Sequence, residues 1–466
     1  MIILGTNSIK DTGYEVANSV RMNRGDSPSF TRSVSSNGDF NNATLSMWVK
    51  KCSNGIDTNR LWLEYENGTN YEEVRFRDDD TLRIYSESGG GTYFEIITNR
   101  KFRDVSAFYH ICVIYDYSQS TSTDRIKLFI NGTRETSFST YSVPSQGGNS
   151  SMNKSGNTVY VGAYPSGSNY FDGYLAECVW LDGTSASIGD FGEFDSDTPS
   201  IWKPKDVSGL TAGTNGWYMD FEDSSNLGND VFGGTDFTEN NLAATDQCTD
   251  TPTNNFATLN PLEPSPNAIT FSEGNTVEVG SGGNGGRFVG GTIAVGSGKW
   301  WCEMKVTVNG SYPIIGIIDS RSSFKMNSAY FVDGSQTTQN RSGYALFTNS
   351  DIYNNGDDNF GDFGTTFTTG DIIGVGLNLD ASPPTLTFQK NGSNEVSVDV
   401  EVPPSGFYTF PAIGGYYASA KAEVNFGNSP FSISSGVADA NGYGAFEYAP
   451  KSGYYALCTK NLAEYG

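Results

Sequence analysis

A Ser-His-Asp relay in this chain has a single possible base, because His110 is its only histidine. It lies within the apolar run Tyr109-His110-Ile111-Cys112-Val113, the setting of a structural histidine whose ring nitrogens are used internally. Gly280-Ser281-Gly282-Gly283-Asn284-Gly285 satisfies the dinucleotide fingerprint in letters, but the strand-like Arg287-Phe288-Val289 follows it. A pyrophosphate would need a helix N-terminus there. Gly298-Lys299 suggests a phosphate loop, yet Trp300 stands where a metal-binding Ser or Thr is required. Arg24-Gly25-Asp26 reads as an ordinary turn. The acids Asp78-Asp79-Asp80 and those around Asp116 could hold calcium only if oxygens converge from separate loops. Six cysteines lie far apart with no Cys-x-x-Cys pair, so buried free thiols are expected. What remains is recognition chemistry: tyrosine-rich stretches such as Tyr330-Phe331, Tyr353 and Gly415-Tyr416-Tyr417, which suit sugar stacking or protein contact where exposed.

The elements that must position these residues are short strands. Leu45-Ser46-Met47-Trp48-Val49, Leu61-Trp62-Leu63-Glu64-Tyr65, Glu73-Val74-Arg75-Phe76 and Leu82-Arg83-Ile84-Tyr85 alternate with period two between Asn, Gly, Asp and Ser clusters. Two runs, Ile126-Lys127-Leu128-Phe129-Ile130 and Leu386-Thr387-Phe388-Gln389-Lys390, each end in Asn-Gly, the pair that best tolerates a tight hairpin turn. Fifty-five glycines, seventeen prolines and 13% aromatic residues suit many turns, and no long 3.6-period stretch predicts a substantial helix. With 29 basic against 53 acidic residues the net charge is -24, which repels phosphate backbones and excludes nucleic acid as a partner. No stretch approaches the roughly 20 apolar residues of a membrane span. Met1-Ile2-Ile3-Leu4-Gly5 is too short for a secretory leader, so secretion by the general route is not expected.

Residues 18–182 resemble the laminin-G/concanavalin-A-like jelly roll. The resemblance is carried in order by Ser46-Met47-Trp48-Val49-Lys50, Phe108 to Asp116, Phe129-Ile130-Asn131-Gly132 and Phe171-Asp172-Gly173-Tyr174-Leu175-Ala176-Glu177. The segment 183–265, with Trp202-Lys203-Pro204, Gly216-Trp217-Tyr218 and Thr251-Pro252-Thr253, is similar to one that recurs in bacteriophage tail-fibre and virion-appendage proteins directly after such a unit. Its aromatics predict an ordered connector, because dangling them in water gains nothing. Residues 266–432 resemble a SPRY domain through Lys299-Trp300-Trp301-Cys302-Glu303, Gly370 to Asp380, Leu386 to Gly392, Phe410-Pro411-Ala412 and Val424-Asn425-Phe426-Gly427. Many concanavalin-like sandwiches are glycosidases with Glu-x-Asp-x-x-Glu along one strand. The nearest match here, Glu193-Phe194-Asp195-Ser196-Asp197-Thr198, lacks the final Glu.

The expected fold is all-β: two jelly-roll-type antiparallel sandwiches, 18–182 and 266–432, joined by an ordered, mostly irregular connector. An arm or edge strand occupies 1–17 and a tail 433–466. Trp48, Trp180, Trp300 and Phe426 are expected in the cores. The resemblance implies a non-enzymatic virion structural protein, a tail fibre or appendage made in the host cytoplasm, homo-oligomeric and without cofactor, calcium excepted. Its alternatives are a decoration protein and a polysaccharide-cleaving appendage enzyme. Host glycan or protein would be met by Asp319, Arg321, Tyr330, Tyr353, Tyr416 and Tyr417, on loops that SPRY units use for recognition. Ile2, Ile3 and Leu4 would dock on other virion subunits by strand addition.

Overall fold

The computed structural model describes residues 13–56, 59–165, 167, 169–262, 269–279, 287–310, 313–319, 343–354, 357–403, 405–415 and 420–466. Their contacts divide at Thr253/Asn254 into two compact units.

The first unit is a sandwich of two sheets. One runs β10 (Thr133–Arg134), β9 (Ile126–Ile130), β8 (Tyr109–Asp116), β3 (Asn42–Lys51), β13 (Gly173–Asp182), β1 (Ser19–Met22) and β18 (Gln247–Cys248), with β16 (Trp217–Met219) also paired to β13. The other runs β11 (Phe138–Ser142), β7 (Gly91–Lys101), β6 (Thr81–Ser88), β5 (Asn70–Phe76), β4 (Asn59–Asn67), β12 (Thr158–Val161), β2 (Ser29–Ser33) and β17 (Thr238–Asn240). All these pairings are antiparallel. The alternation read from the sequence assigns the faces: Leu45, Met47 and Val49 of β3 meet Val74 and Phe76 of β5 and Leu82 and Ile84 of β6 in one core. A short hairpin, β14 (Gly192–Phe194) with β15 (Trp202–Pro204), lies apart from these sheets in its pairing.

The second unit has one sheet of β19 (Ile269–Ser272), β20 (Thr276–Val279), β32 (Ala420–Asn425), β23 (Lys299–Asn309), β28 (Ile372–Asn378), β29 (Thr385–Lys390) and β30 (Ser393–Asp399). Its facing sheet holds β21 (Arg287–Gly290), β31 (Tyr408–Gly415), β24 (Pro313–Asp319), β25 (Gly343–Phe347), β26 (Asp351–Asn354) and β27 (Asp357–Asp362), with β22 (Ala294–Val295) on β31. β33 (Tyr455–Ala456) joins β23 in parallel, and the helix α1 (Thr459–Tyr465) closes the chain.

Both Asn-Gly hairpins form as the sequence implies. Asn131 and Gly132 have φ of 48° and 72°, and Asn391 and Gly392 repeat those values. Glycine is needed there twice over, because an added Cβ would lie 2.1 Å from Trp202 at position 132 and 2.6 Å from Tyr448 at position 392.

The connector and the tail are revised. Residues 183–253 complete the first sandwich: β16, β17 and β18 extend its sheets, and Trp217, Phe221 and Phe237 enter its core. Residues from Asn254 belong to the second unit, where Ala257 and Leu259 are core and Ala257 N donates to Leu457 O at 2.9 Å. The 433–466 segment is built in by two carboxylates. Asp439 accepts from Asn441 N, Tyr443 N, Ala456 N and Asn461 Nδ2, while Glu303 of β23 accepts from Glu447 N and Tyr448 N. Trp180, Trp300 and Phe426 lie between the sheets. Trp48 is buried on the opposite face of its sheet, its ring 4.8 Å from that of His110. All six cysteines are free and buried.

Candidate functional site

The outer face of the second sheet of the first unit carries a row of tyrosines. Because Val74 and Phe76 point into the core, Tyr71, Glu73 and Arg75 of β5 point outward, and by the same parity so do Arg83 and Tyr85 of β6, Tyr65 of β4 and Tyr160 of β12. A register shift between Arg60 and Trp62 brings Arg60 to this face, beside Glu73. The rings touch in sequence: Tyr160 to Tyr65 at 6.4 Å between centroids, Tyr65 to Tyr71 at 6.5 Å, and Tyr71 to Tyr85 at 5.7 Å. Tyr164, from the turn after β12, packs edge-on against both Tyr65 and Tyr71.

Beneath the rings lies a charge network. Glu73, fully buried, accepts from Arg60 Nε at 2.8 Å, Arg75 Nε at 2.9 Å and Arg83 Nη1 at 3.2 Å, and Arg83 Nη2 reaches Glu95 at 2.7 Å. The Arg60 guanidinium stands 4.3 Å from the Tyr164 ring centre, and that of Arg83 stands 3.7 Å from Tyr85. The arginines are thereby fixed before any ligand arrives, as recognition requires. Both Glu73 oxygens are thus occupied by guanidinium N–H groups. The face can stack on apolar ring faces of a ligand and direct hydrogen bonds to its rim.

The residues singled out from the sequence fall elsewhere. Arg321, Tyr330, Tyr416 and Tyr417, and Ile2, Ile3 and Leu4, lie outside the described residues. Asp319 ends β24 buried, where its Oδ2 accepts from Ser405 N at 3.2 Å. Tyr353 of β26 is half-buried with its ring 4.1 Å from Phe347, beside Ile314 and Ile318. These two are therefore packing residues of their sheet rather than displayed loop groups. His110 is structural, as expected: Trp202 Nε1 donates to its Nδ1 at 3.1 Å, which leaves Nε2 to donate to Ser46 Oγ at 2.8 Å. Burial lowers its pKa to about 3, so it stays neutral. The acids considered for calcium have partners within the chain. Asp80 is held by Lys51 at 2.9 Å, Arg103 at 3.1 Å and Gly55 N, and Asp116 by Ser118 and Gln119. Asp195 pairs with Lys203 at 3.2 Å.

One carboxyl enters the sequence reading only as the end of a family block, with no chemistry assigned to it. Glu177 sits at a bulge of β13 with φ of +47°, a strained position for a residue other than glycine, and accepts from Tyr218 OH at 2.8 Å. Burial raises its pKa to about 8 despite that bond, and burial likewise raises Glu303 to about 7. Between about pH 4.5 and those values the folded chain holds protons that the unfolded chain has released, so stability falls as pH rises through that window. The melting temperature at fixed ionic strength is expected to decline from pH 5 to pH 8, and less steeply in Glu177→Gln. A melting temperature that rises over that range would show these carboxyls ionised in the fold.

Comparison with known proteins places part of the chain. Residues 24–184 match the family described as the concanavalin A-like lectin/glucanases superfamily, of the laminin G kind. No curated protein matches the chain. Among solved structures, the SPRY domain of human HERC1 is a distant match at 18% identity, covering 36% of this chain and 96% of that one, with a TM-score of 0.28. A heptameric SAP-like pentraxin of Limulus polyphemus matches at 12% identity over 38% of this chain and 81% of its own, with a TM-score of 0.28. A Bacteroides ovatus protein named for proposed carbohydrate binding matches at 15% identity over 49% and 59%, with a TM-score of 0.33. The tyrosine row lies within residues 24–184, the stretch that matches the concanavalin A-like lectin/glucanase model.

Proposed function

We propose that the chain is a non-enzymatic glycan-binding protein of a bacteriophage appendage, and that the tyrosine–arginine face of the first sandwich holds a polysaccharide of the host surface. The observation that carries this reading is the row Tyr160, Tyr65, Tyr71 and Tyr85, one ring on each of four neighbouring strands. Three inter-strand steps of about 4.8 Å give roughly 14 Å, the length of about three linked sugar rings laid across the strands. Each ring supplies contact area at small entropy cost, and the pinned arginines supply direction. The lectin-type domain supports a sugar as the ligand. The virion setting rests on the order of the sequence blocks, and in it the second sandwich contacts the host or neighbouring virion subunits.

The double variant Tyr65→Ala/Tyr71→Ala tests this. Both side chains are partly exposed, so the fold should persist by circular dichroism while affinity for purified host polysaccharide falls tenfold or more, about 1.4 kcal/mol. Unchanged binding by calorimetry would remove the face from the site, and release of new reducing ends would restore the enzyme alternative.

A further inference from the structure

Three cations stand in register beside the tyrosines. On the outer face of β4, β5 and β6, Arg60 lies directly opposite Arg75, and Arg75 directly opposite Arg83. Like charges paired across strands oppose folding, so this row carries a cost that needs an offset. The neighbouring row, two residues along β5, holds Tyr160, Leu63, Glu73 and Tyr85, and the row beyond that holds Tyr65, Tyr71 and Glu87. The arginines therefore line one flank of the tyrosines. Glu73 and Glu95 are the carboxylates paired with them, two against three, which leaves one positive charge in excess on a chain whose net charge is -24. On the opposite flank Glu87 accepts from the Tyr85 hydroxyl at 3.2 Å. The face is thus polarised along its strands, basic toward Arg75 and acidic toward Glu87.

The carboxylates do not use every donor in the row. Arg60 gives Nε and Nη2 to Glu73, while its Nη1 is buried without a hydrogen-bond partner among the described residues, where the Tyr164 ring lies over the guanidinium at 4.3 Å. The side chains of Arg75 and Arg83 are 13% and 17% exposed, so the row reaches the surface at β5 and β6. A neutral sugar on the tyrosines would leave the excess charge unmatched, whereas the planar guanidinium fork fits two oxygens of a carboxylate or a sulfate. We propose that the sugar this face takes is acidic, its rings stacked on the tyrosines and a carboxylate or sulfate lying against Arg75 and Arg83; the inference rests on the glycan reading of the face. Glu87 repels an acid group laid the other way, so the sugar binds in one orientation along the strands.

The full chain would be titrated calorimetrically with three trisaccharides: trigalacturonate, its neutral counterpart galactotriose, and galactotriose carrying sulfate esters. At physiological salt the Debye length of about 8 Å screens the overall negative charge of the chain but not groups in contact. The expected result is that at least one acidic sugar binds about tenfold or more tighter than galactotriose, the better of the two telling carboxylate from sulfate. Arg75→Gln should cut that preference several-fold, and Arg75→Lys, which keeps the charge, should retain most of it. If Arg75→Gln does not fold, the comparison of the three sugars on the unaltered chain still decides. Equal affinity for all three, or a preference unmoved in Arg75→Gln, would overturn the acidic site and leave the glycan reading standing. Binding to none of them while host polysaccharide still binds would do the same, and failure of host polysaccharide as well would remove both.

Discussion

The Asp250→Ala protein is expected to lose about 3–5 kcal/mol of stability in its first unit. Lys50 Nζ lies 2.7 Å from Asp250 Oδ2, with the two side chains 0% and 1% exposed. The ammonium stands between the rings of Phe108 and Tyr174, at 5.8 and 5.7 Å. Those rings attract a cation but cannot replace a carboxylate, so truncating Asp250 takes a charged partner from a buried ammonium. Replacing both partners, as Lys50→Met with Asp250→Leu, should recover most of the loss, because the charge goes with its partner. Urea unfolding followed by circular dichroism measures both. A single variant within 1 kcal/mol of wild type would mean the pair is hydrated and unimportant. The prediction also tests the revised boundary, since Asp250 belongs to the segment first read as a connector.

Trp300→Ala should cost the second unit a similar amount, about 3–5 kcal/mol, through lost packing rather than stranded charge. Trp300 is fully buried opposite Leu377 of β28, and its Nε1 donates to Ser297 O at 2.6 Å. Its neighbour Trp301 points to the other face of β23, into a separate cluster with Phe256, Phe446, Tyr454 and Cys458. Trp301→Ala should therefore loosen the closing segment first, visible as faster proteolysis after residue 433, whereas Trp300→Ala lowers the whole transition. Equal proteolysis in the two variants would contradict the opposed placement of the adjacent rings.

Much of the fold was legible because it follows from period two. The strands around Trp48, Trp62, Val74 and Ile84, and both Asn-Gly turns, are set by local alternation and by the left-handed conformation that Asn and Gly tolerate. The connector was misplaced because β16, β17 and β18 are two or three residues long, too short to show a period, and their partners β13, β2 and β1 are tens to hundreds of residues away. The same limit hid the role of 433–466, which docks through Glu303 and Asp439 rather than through a pattern of its own. The tyrosine face was written in the sequence as outward-parity tyrosines interleaved with Arg and Glu on β4, β5 and β6. A flat sheet face can display as many rings as a loop, so loop position alone is no guide to a recognition surface. The burial of Glu177 left no signal, because it differs from an exposed glutamate only in what the distant chain lays over it.

The buried thiols give the protein a practical property. With every native cysteine sealed in and five of the six held above their ordinary acidity range by burial, folded protein should ignore a maleimide dye added at neutral pH. A cysteine introduced at exposed Val402 or Phe194 would then be the sole reactive handle, allowing one fluorophore per chain without first removing the native six. The unmodified chain would serve as its own integrity gauge, since dye uptake would report that a sandwich had opened.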